Sequence, residues 1–119
     1  MENKTMNPMN EFTIVIGRDF SDTPGGRYSE DGPWNGQKFR EKYLIPALKS
    51  HSKVIVDISG VEGYGSSFLE EVFGGLVRSR LYSKQELESK LVYTTGDPCQ
   101  ECYLGRISSY MREAWEKIK

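Results

Sequence analysis

The residues best able to hold or carry charge are concentrated in one segment, Asp57-Ile58-Ser59-Gly60-Val61-Glu62-Gly63-Tyr64-Gly65-Ser66-Ser67, which runs from an apolar stretch into a helical pattern. Hydroxyls at a helix start lie among amides without acceptors, at the positive end of the helix dipole. A phosphate on Ser66 or Ser67 is therefore electrostatically tolerated, and adds about −1.5 to −2 of charge. A second reading of Ser67 needs no chemistry, because Ser67 followed by Glu70 has the spacing of a capping box. Ser66 has no such structural task and is expected to point outward. Asp57, closing a strand, is the best acid–base candidate; its simpler alternative is to accept bonds from the amides of the following turn.

Two further motifs carry reactive groups. Cys99-x-x-Cys102 falls at the expected start of the last helix, where amides and dipole lower thiol pKa values, as dithiol oxidoreductases exploit. A closed zinc site needs a second pair or a nearby histidine, and the single histidine, His51, lies far upstream. No metal is expected. Arg27, in Pro24-Gly25-Gly26-Arg27-Tyr28, is a candidate to bind an anion from a loop, with a solvated arginine as the alternative. Gly63-x-Gly65 echoes a dinucleotide fingerprint, but Phe68 fills the third glycine position and no acidic residue closes the next strand. No Lys-Ser or Lys-Thr follows a glycine loop, so there is no P-loop. With one His and no Ser/His/Asp spacing, no enzyme activity and no cofactor are expected.

The elements that must position these residues follow from periodicity. Phe12 to Ile16 is a β-branched run after a polar tail over residues 1–10, and Lys53 to Ile58 is a near-continuous apolar run of the kind found in strands covered on both faces. Between them, Phe20 to Gly36 is a glycine- and proline-rich loop. Asn35 then caps a helix that Pro46 should kink or end. Phe68, Leu69, Val72, Phe73, Leu76 and Val77 form a 3.6-residue stripe, and Gly74-Gly75 inside it, unfavourable by about 1 kcal/mol each relative to alanine, predicts a close approach of another group. A polar stretch, Ser83 to Lys90, precedes a third strand, Leu91 to Thr95. Asp97-Pro98 opens a terminal helix with Leu104, Ile107, Met111, Ala114, Trp115 and Ile118 on one face. The alternation predicts an α/β sandwich in one domain over residues 11–119, its later strands parallel.

Composition narrows the function classes. The chain has 119 residues, with 16 Lys+Arg against 17 Asp+Glu and a net charge of −1. That balance lacks the basic footprint of nucleic-acid binding. Apolar runs of about five residues fall far short of the ~20 a membrane helix needs. Residues 1–10 lack the apolar region of a signal peptide, so the expected location is the cytoplasm, with both thiols reduced.

The stretch Val54-Ile55-Val56-Asp57-Ile58-Ser59-Gly60-Val61, followed by Gly65-Ser66-Ser67-Phe68-Leu69-Glu70-Glu71-Val72-Phe73-Gly74-Gly75-Leu76, resembles the STAS-like family, a domain of unknown function. More distant relatives are the STAS domains of bacterial anti-sigma-factor antagonists and sulphate transporters. Gly25-Gly26-Arg27-Tyr28, Asp31-Gly32-Pro33 and Gly36-x-x-Phe39-Arg40 through Leu44-x-Pro46 extend the resemblance to about residues 12 to 118. It implies a STAS-like sandwich with a mixed sheet of about four strands and three to four helices. In the antagonists, an Asp-Ser-Ser/Thr-Gly turn opens the helix that docks on an ATP-binding anti-sigma kinase, and its first hydroxyl is phosphorylated. The match puts Ser66 at that position and Ser67 next to it. Gly65 stands where the antagonists have the acidic residue, and Phe68 where they have glycine.

What the resemblance implies is a non-enzymatic regulatory protein–protein interaction module, switched by serine phosphorylation, with a histidine-kinase-type ATPase as partner. Its partner-binding residues would be Asp57, Gly63, Tyr64, Gly65, Ser66, Ser67, Glu70 and Glu71. The competing reading is a dithiol oxidoreductase using Cys99 and Cys102.

Overall fold

A computed structural model describes residues 10–118; the expected tail lies outside them except for Asn10. Strand β1 (Glu11–Val15) passes directly into a π-helical turn, Ile16–Phe20, and then into the long loop, which holds a 3₁₀ turn at Ser29–Asp31. Helix α1 covers residues 36–50 in three contiguous pieces, α-helical Gly36–Phe39, π-helical Arg40–Leu44 and α-helical Ile45–Ser50. After β2 (Lys53–Asp57) comes α2, residues 66–78, which likewise carries a π turn, Glu70–Gly74, between Ser66–Leu69 and Gly75–Arg78. Helix α3 (Lys84–Lys90), strand β3 (Leu91–Thr94) and helix α4 (Glu101–Lys117) follow.

Asn35 caps α1 as its position predicts, its side chain accepting from the Lys38 amide at 2.8 Å. Pro46, however, does not end the helix. The preceding π turn has already displaced the hydrogen-bond ladder, with the Ile45 amide reaching back five residues to the Arg40 carbonyl, and Pro46 sits in the first turn of the next piece. The stretch from Ser83 to Lys90, read as a polar connection, is helix α3. Its start is a reciprocal capping box in which Ser83 Oγ accepts from the Glu86 amide at 3.0 Å and Glu86 accepts from the Ser83 amide at 2.7 Å.

Among the described residues the sheet has three strands in the order β1-β2-β3, all parallel, in place of the expected mixed sheet of about four. Phe12, Val54 and Leu91 stand in register, as do Ile14, Val56 and Tyr93. This face packs against α1, α2 and α4, with α2 in contact with both of the other helices. Two successive crossovers of the same hand, stepping the same way across the sheet, put their helices on the same side.

The opposite face, with Thr13, Ile55 and Val92 in register and then Val15, Asp57 and Thr94, has no buried residue, and Val92 is 38% exposed. The expectation that β2 is covered on both faces is thus overturned. Its β-branched residues on that side reflect strand preference and not burial. The predicted stripe of α2 is wholly buried, and Ile107 and Ala114 of α4 seal it from the other side. Phe20, expected as the first residue of the loop, is buried instead, with its ring edge-on to Phe39 and Tyr43 at centroid distances of 5.1 Å.

Candidate functional site

The turn between β2 and α2 lies at the carboxyl end of the parallel sheet and is held from behind. Asp57 Oδ1 accepts from the Ser59 amide at 2.9 Å, the turn-forming alternative anticipated for it. Ser59 Oγ accepts from the Gly96 amide at 2.8 Å and lies 3.2 Å from Thr95 Oγ1, tying this turn to the one after β3. Gly60 adopts φ 87°, and a Cβ on Gly17 would overlap its carbonyl, so the exits of β1 and β2 touch through glycines at both positions. Tyr64 is buried, donating its hydroxyl to the Ile58 carbonyl at 2.7 Å. Burial, with the charge of Asp57 adding to it, pushes this phenol well above its usual range, so it stays a donor.

Support also comes from a 3₁₀ turn, Pro98–Gln100, and from α4 that follows it. Gln100, buried, donates to the Val61 carbonyl and accepts from Thr95 Oγ1 at 3.2 Å, and Tyr103 accepts the Tyr64 amide at 3.3 Å. Against this backing, Glu62, Gly63, Gly65 and Ser66 are exposed and Ser67 is half-buried.

Helix α2 starts differently from the capping-box expectation. Gly65 is the N-cap, no side chain caps the helix, and Ser66 and Ser67 are its first two residues. Glu70 is drawn elsewhere: it accepts from Arg27 at 2.5 Å and from Arg78 at 2.6 and 3.0 Å. Glu71 meets Arg40 at 2.7 Å and Arg27 at 3.2 Å, and its carbonyl also accepts from Arg40. These charges join the long loop, α1 and α2 where the two π turns face each other. Gly75 makes room, because a Cβ there would overlap the Arg40 guanidinium, which is the close approach that the Gly74-Gly75 pair predicts.

Burial raises the Glu70 carboxyl, but the hydrogen bonds from Arg78 and Arg27 outweigh it and hold the group below its ordinary value of 4.5. A carboxyl depressed in the folded state contributes stability that is complete above its unfolded value and vanishes as pH falls through the native one. Glu70→Gln should therefore be less stable than the parent by about 1 kcal/mol at pH 7, the scale of a partly exposed ion pair. The gap should close in melts below about pH 4.5. A gap constant from pH 7 to pH 3 would refute the assignment.

The structure thus brings Gly63, Gly65, Ser66 and Ser67 together on one surface, with Asp57 half-buried beneath it. Tyr64 and Glu71, expected on that surface, are buried, and Glu70 is engaged by arginines. Arg27 finds its anion within the chain, in Glu70 and Glu71, and is not a free anion site. Cys99 and Cys102 are exposed, Cys99 in the 3₁₀ turn before α4 and Cys102 in its first turn. The residues that sequence reasoning missed, Arg40, Arg78, Gln100 and Tyr103, hold the site and do not display it. Among the described residues no helix is long and apolar enough to cross a membrane, and no group of three or more His, Cys, Asp or Glu could hold a metal ion.

A family model described as STAS-like domain of unknown function (DUF4325) matches residues 35–99, which span α1, β2, α2, α3 and β3. The chain belongs to this family. No curated protein and no solved structure matches it. The matched span of this STAS-like chain contains the whole turn and the π turns of α1 and α2, while Arg27, the π turn after β1 and all of α4 lie outside it. Nothing in the structure or the family supports the dithiol oxidoreductase reading.

Proposed function

We propose that this STAS-like chain is a non-enzymatic regulatory module that meets a protein partner through the 62–67 turn and the start of α2. The observation that carries the reading is the contrast at that turn. Its backing residues Tyr64, Gln100 and Gly60 are fixed by buried hydrogen bonds and glycine contact, while Glu62, Gly63, Gly65 and Ser66 face solvent on a preformed surface. A surface held rigid in advance loses little conformational entropy on binding.

The finer reading is that a histidine-kinase-type ATPase phosphorylates Ser66 and so releases itself. Ser66 is the first residue of α2, exposed, with Gly65 and not its own side chain serving as the cap. A phosphate there leaves the fold intact, favoured by the helix dipole, yet places about two negative charges on a surface that must be desolvated. Each tenfold loss of affinity needs about 1.4 kcal/mol of repulsion or lost contact.

Ser66→Asp should accordingly keep the melting temperature and weaken binding at least tenfold, a loss of about 1.4 kcal/mol or more. The measurement is calorimetric titration of a purified kinase-type ATPase partner with both forms, followed by phosphosite mapping after incubation with ATP. Equal affinities together with phosphate-free Ser66 and Ser67 would defeat the switch.

A further inference from the structure

We propose that Cys99 and Cys102 form a reversible intramolecular disulfide that locks the first turn of α4 onto the 61–64 turn. Both thiols are exposed, Cys99 in the 3₁₀ turn Pro98–Gln100 and Cys102 as the second residue of α4. Residues three apart in 3₁₀ or α-helical backbone have Cα atoms about 5–6 Å apart, inside the window of about 4.4–6.8 Å that a disulfide requires. Cys99 and Cys102 straddle the junction of the two, with Gln100 at φ −104° and ψ 3° between them, so closure asks for local adjustment at one residue and no refolding. Asp97 holds the entry to the turn, its Oδ1 accepting from the Cys99 amide at 2.9 Å.

What the ring would enclose gives the closure a consequence. Gln100, between the two cysteines, is the buried side chain that donates to the Val61 carbonyl. Tyr103, next to Cys102, accepts the Tyr64 amide and sets its ring edge-on to Tyr64 at 5.4 Å, with Gly63 against its hydroxyl. In the dithiol form these contacts belong to a helix start, a part of a fold prone to local opening. Closing the ring ties the backbone on either side of Gln100 and restrains the opening that would release the 61–64 turn. The device is stoichiometric, with no turnover, and stands whether or not that turn meets a partner.

The oxidant is a small-molecule disulfide such as oxidised glutathione. One cysteine thiolate attacks it, giving a mixed disulfide and one glutathione thiol. The second thiolate then attacks the protein sulfur of the mixed disulfide and expels the second glutathione. The protein loses two protons and two electrons, and one glutathione disulfide becomes two thiols.

The test incubates the full chain in glutathione buffers of rising oxidised fraction and follows intact mass, peptide maps and amide exchange. The expected result is a loss of about 2 Da confined to the peptide holding residues 99–102, reversed by dithiothreitol, with slower exchange of the 61–64 amides in the oxidised form. Cys99→Ser and Cys102→Ser should each abolish that loss and carry a glutathione adduct in its place. Stable double glutathionylation or a disulfide-linked dimer of the parent would overturn the proposal. So would ring closure that leaves exchange at 61–64 unchanged.

Discussion

Arg40→Met should destabilise the fold by about 3 kcal/mol, at the lower end of the 3–5 kcal/mol typical of a broken buried ion pair. Arg40 is 8% exposed and Glu71 4%, and the guanidinium donates to both the Glu71 carboxylate and its carbonyl. Removing Arg40 leaves the Glu71 carbonyl without this donor and the carboxylate with the more distant Arg27 at 3.2 Å and Arg78 at 3.7 Å. Those neighbours keep the loss at the lower end of the range. Replacing both partners, Arg40→Met with Glu71→Met, should recover most of the loss, because two apolar side chains of similar length leave no buried charge behind. Urea unfolding reads both variants, with a lower midpoint and unchanged slope for the single one. A single-variant loss under about 1 kcal/mol, or a double variant less stable than the single, would show that the pair does not carry the junction of the two π turns.

The contrast between Arg40 and the rest of the fold shows what kind of information a sequence holds. The α2 stripe, the apolar run of β2 and the Asn35 cap were legible because each is written in residues that are neighbours along the chain. The arginine–glutamate network was not, since Arg27 and Arg40 reach Glu70 and Glu71 from more than 30 positions away. Its single local trace was Gly74-Gly75, which announced a close approach without naming the guanidinium that makes it. The same network explains why the capping box at Ser67 fails, since Glu70 is held by arginines and cannot turn back. Helix α3 carried its capping box in plain sight, but with Leu87 as its single buried residue no apolar period marked it as helical. The open face of the sheet was illegible for another reason. Ile55 and Val92 suit an exposed strand as well as a covered one, so alternation alone cannot say which side lacks helices.

Phe73→Ala should cost about 3–5 kcal/mol, the range for truncating a buried aromatic and leaving part of its volume empty. Phe73 is fully buried in the π turn of α2, with its ring 5.7 Å from that of Tyr93 on β3. The surrounding layer cannot easily collapse into the void, because α2 is already pinned by Arg40 on one side and by α4 on the other. A domain of this size has roughly 5–15 kcal/mol of stability in total, so the variant should melt some 10–20 °C lower and sit close to its folding threshold. Phe73→Leu, which refills much of the volume, should lose distinctly less. The loss also reaches the proposed partner surface, since α2 sets the position of Ser66, seven residues before Phe73 on the same helix. In Phe73→Ala, held well below its melting temperature, partner affinity should therefore fall along with stability, whereas Ser66→Asp should lower affinity alone. A melting shift within about 2 °C for Phe73→Ala would remove this residue from the core and, with it, the mechanical link between the packed stripe and the turn.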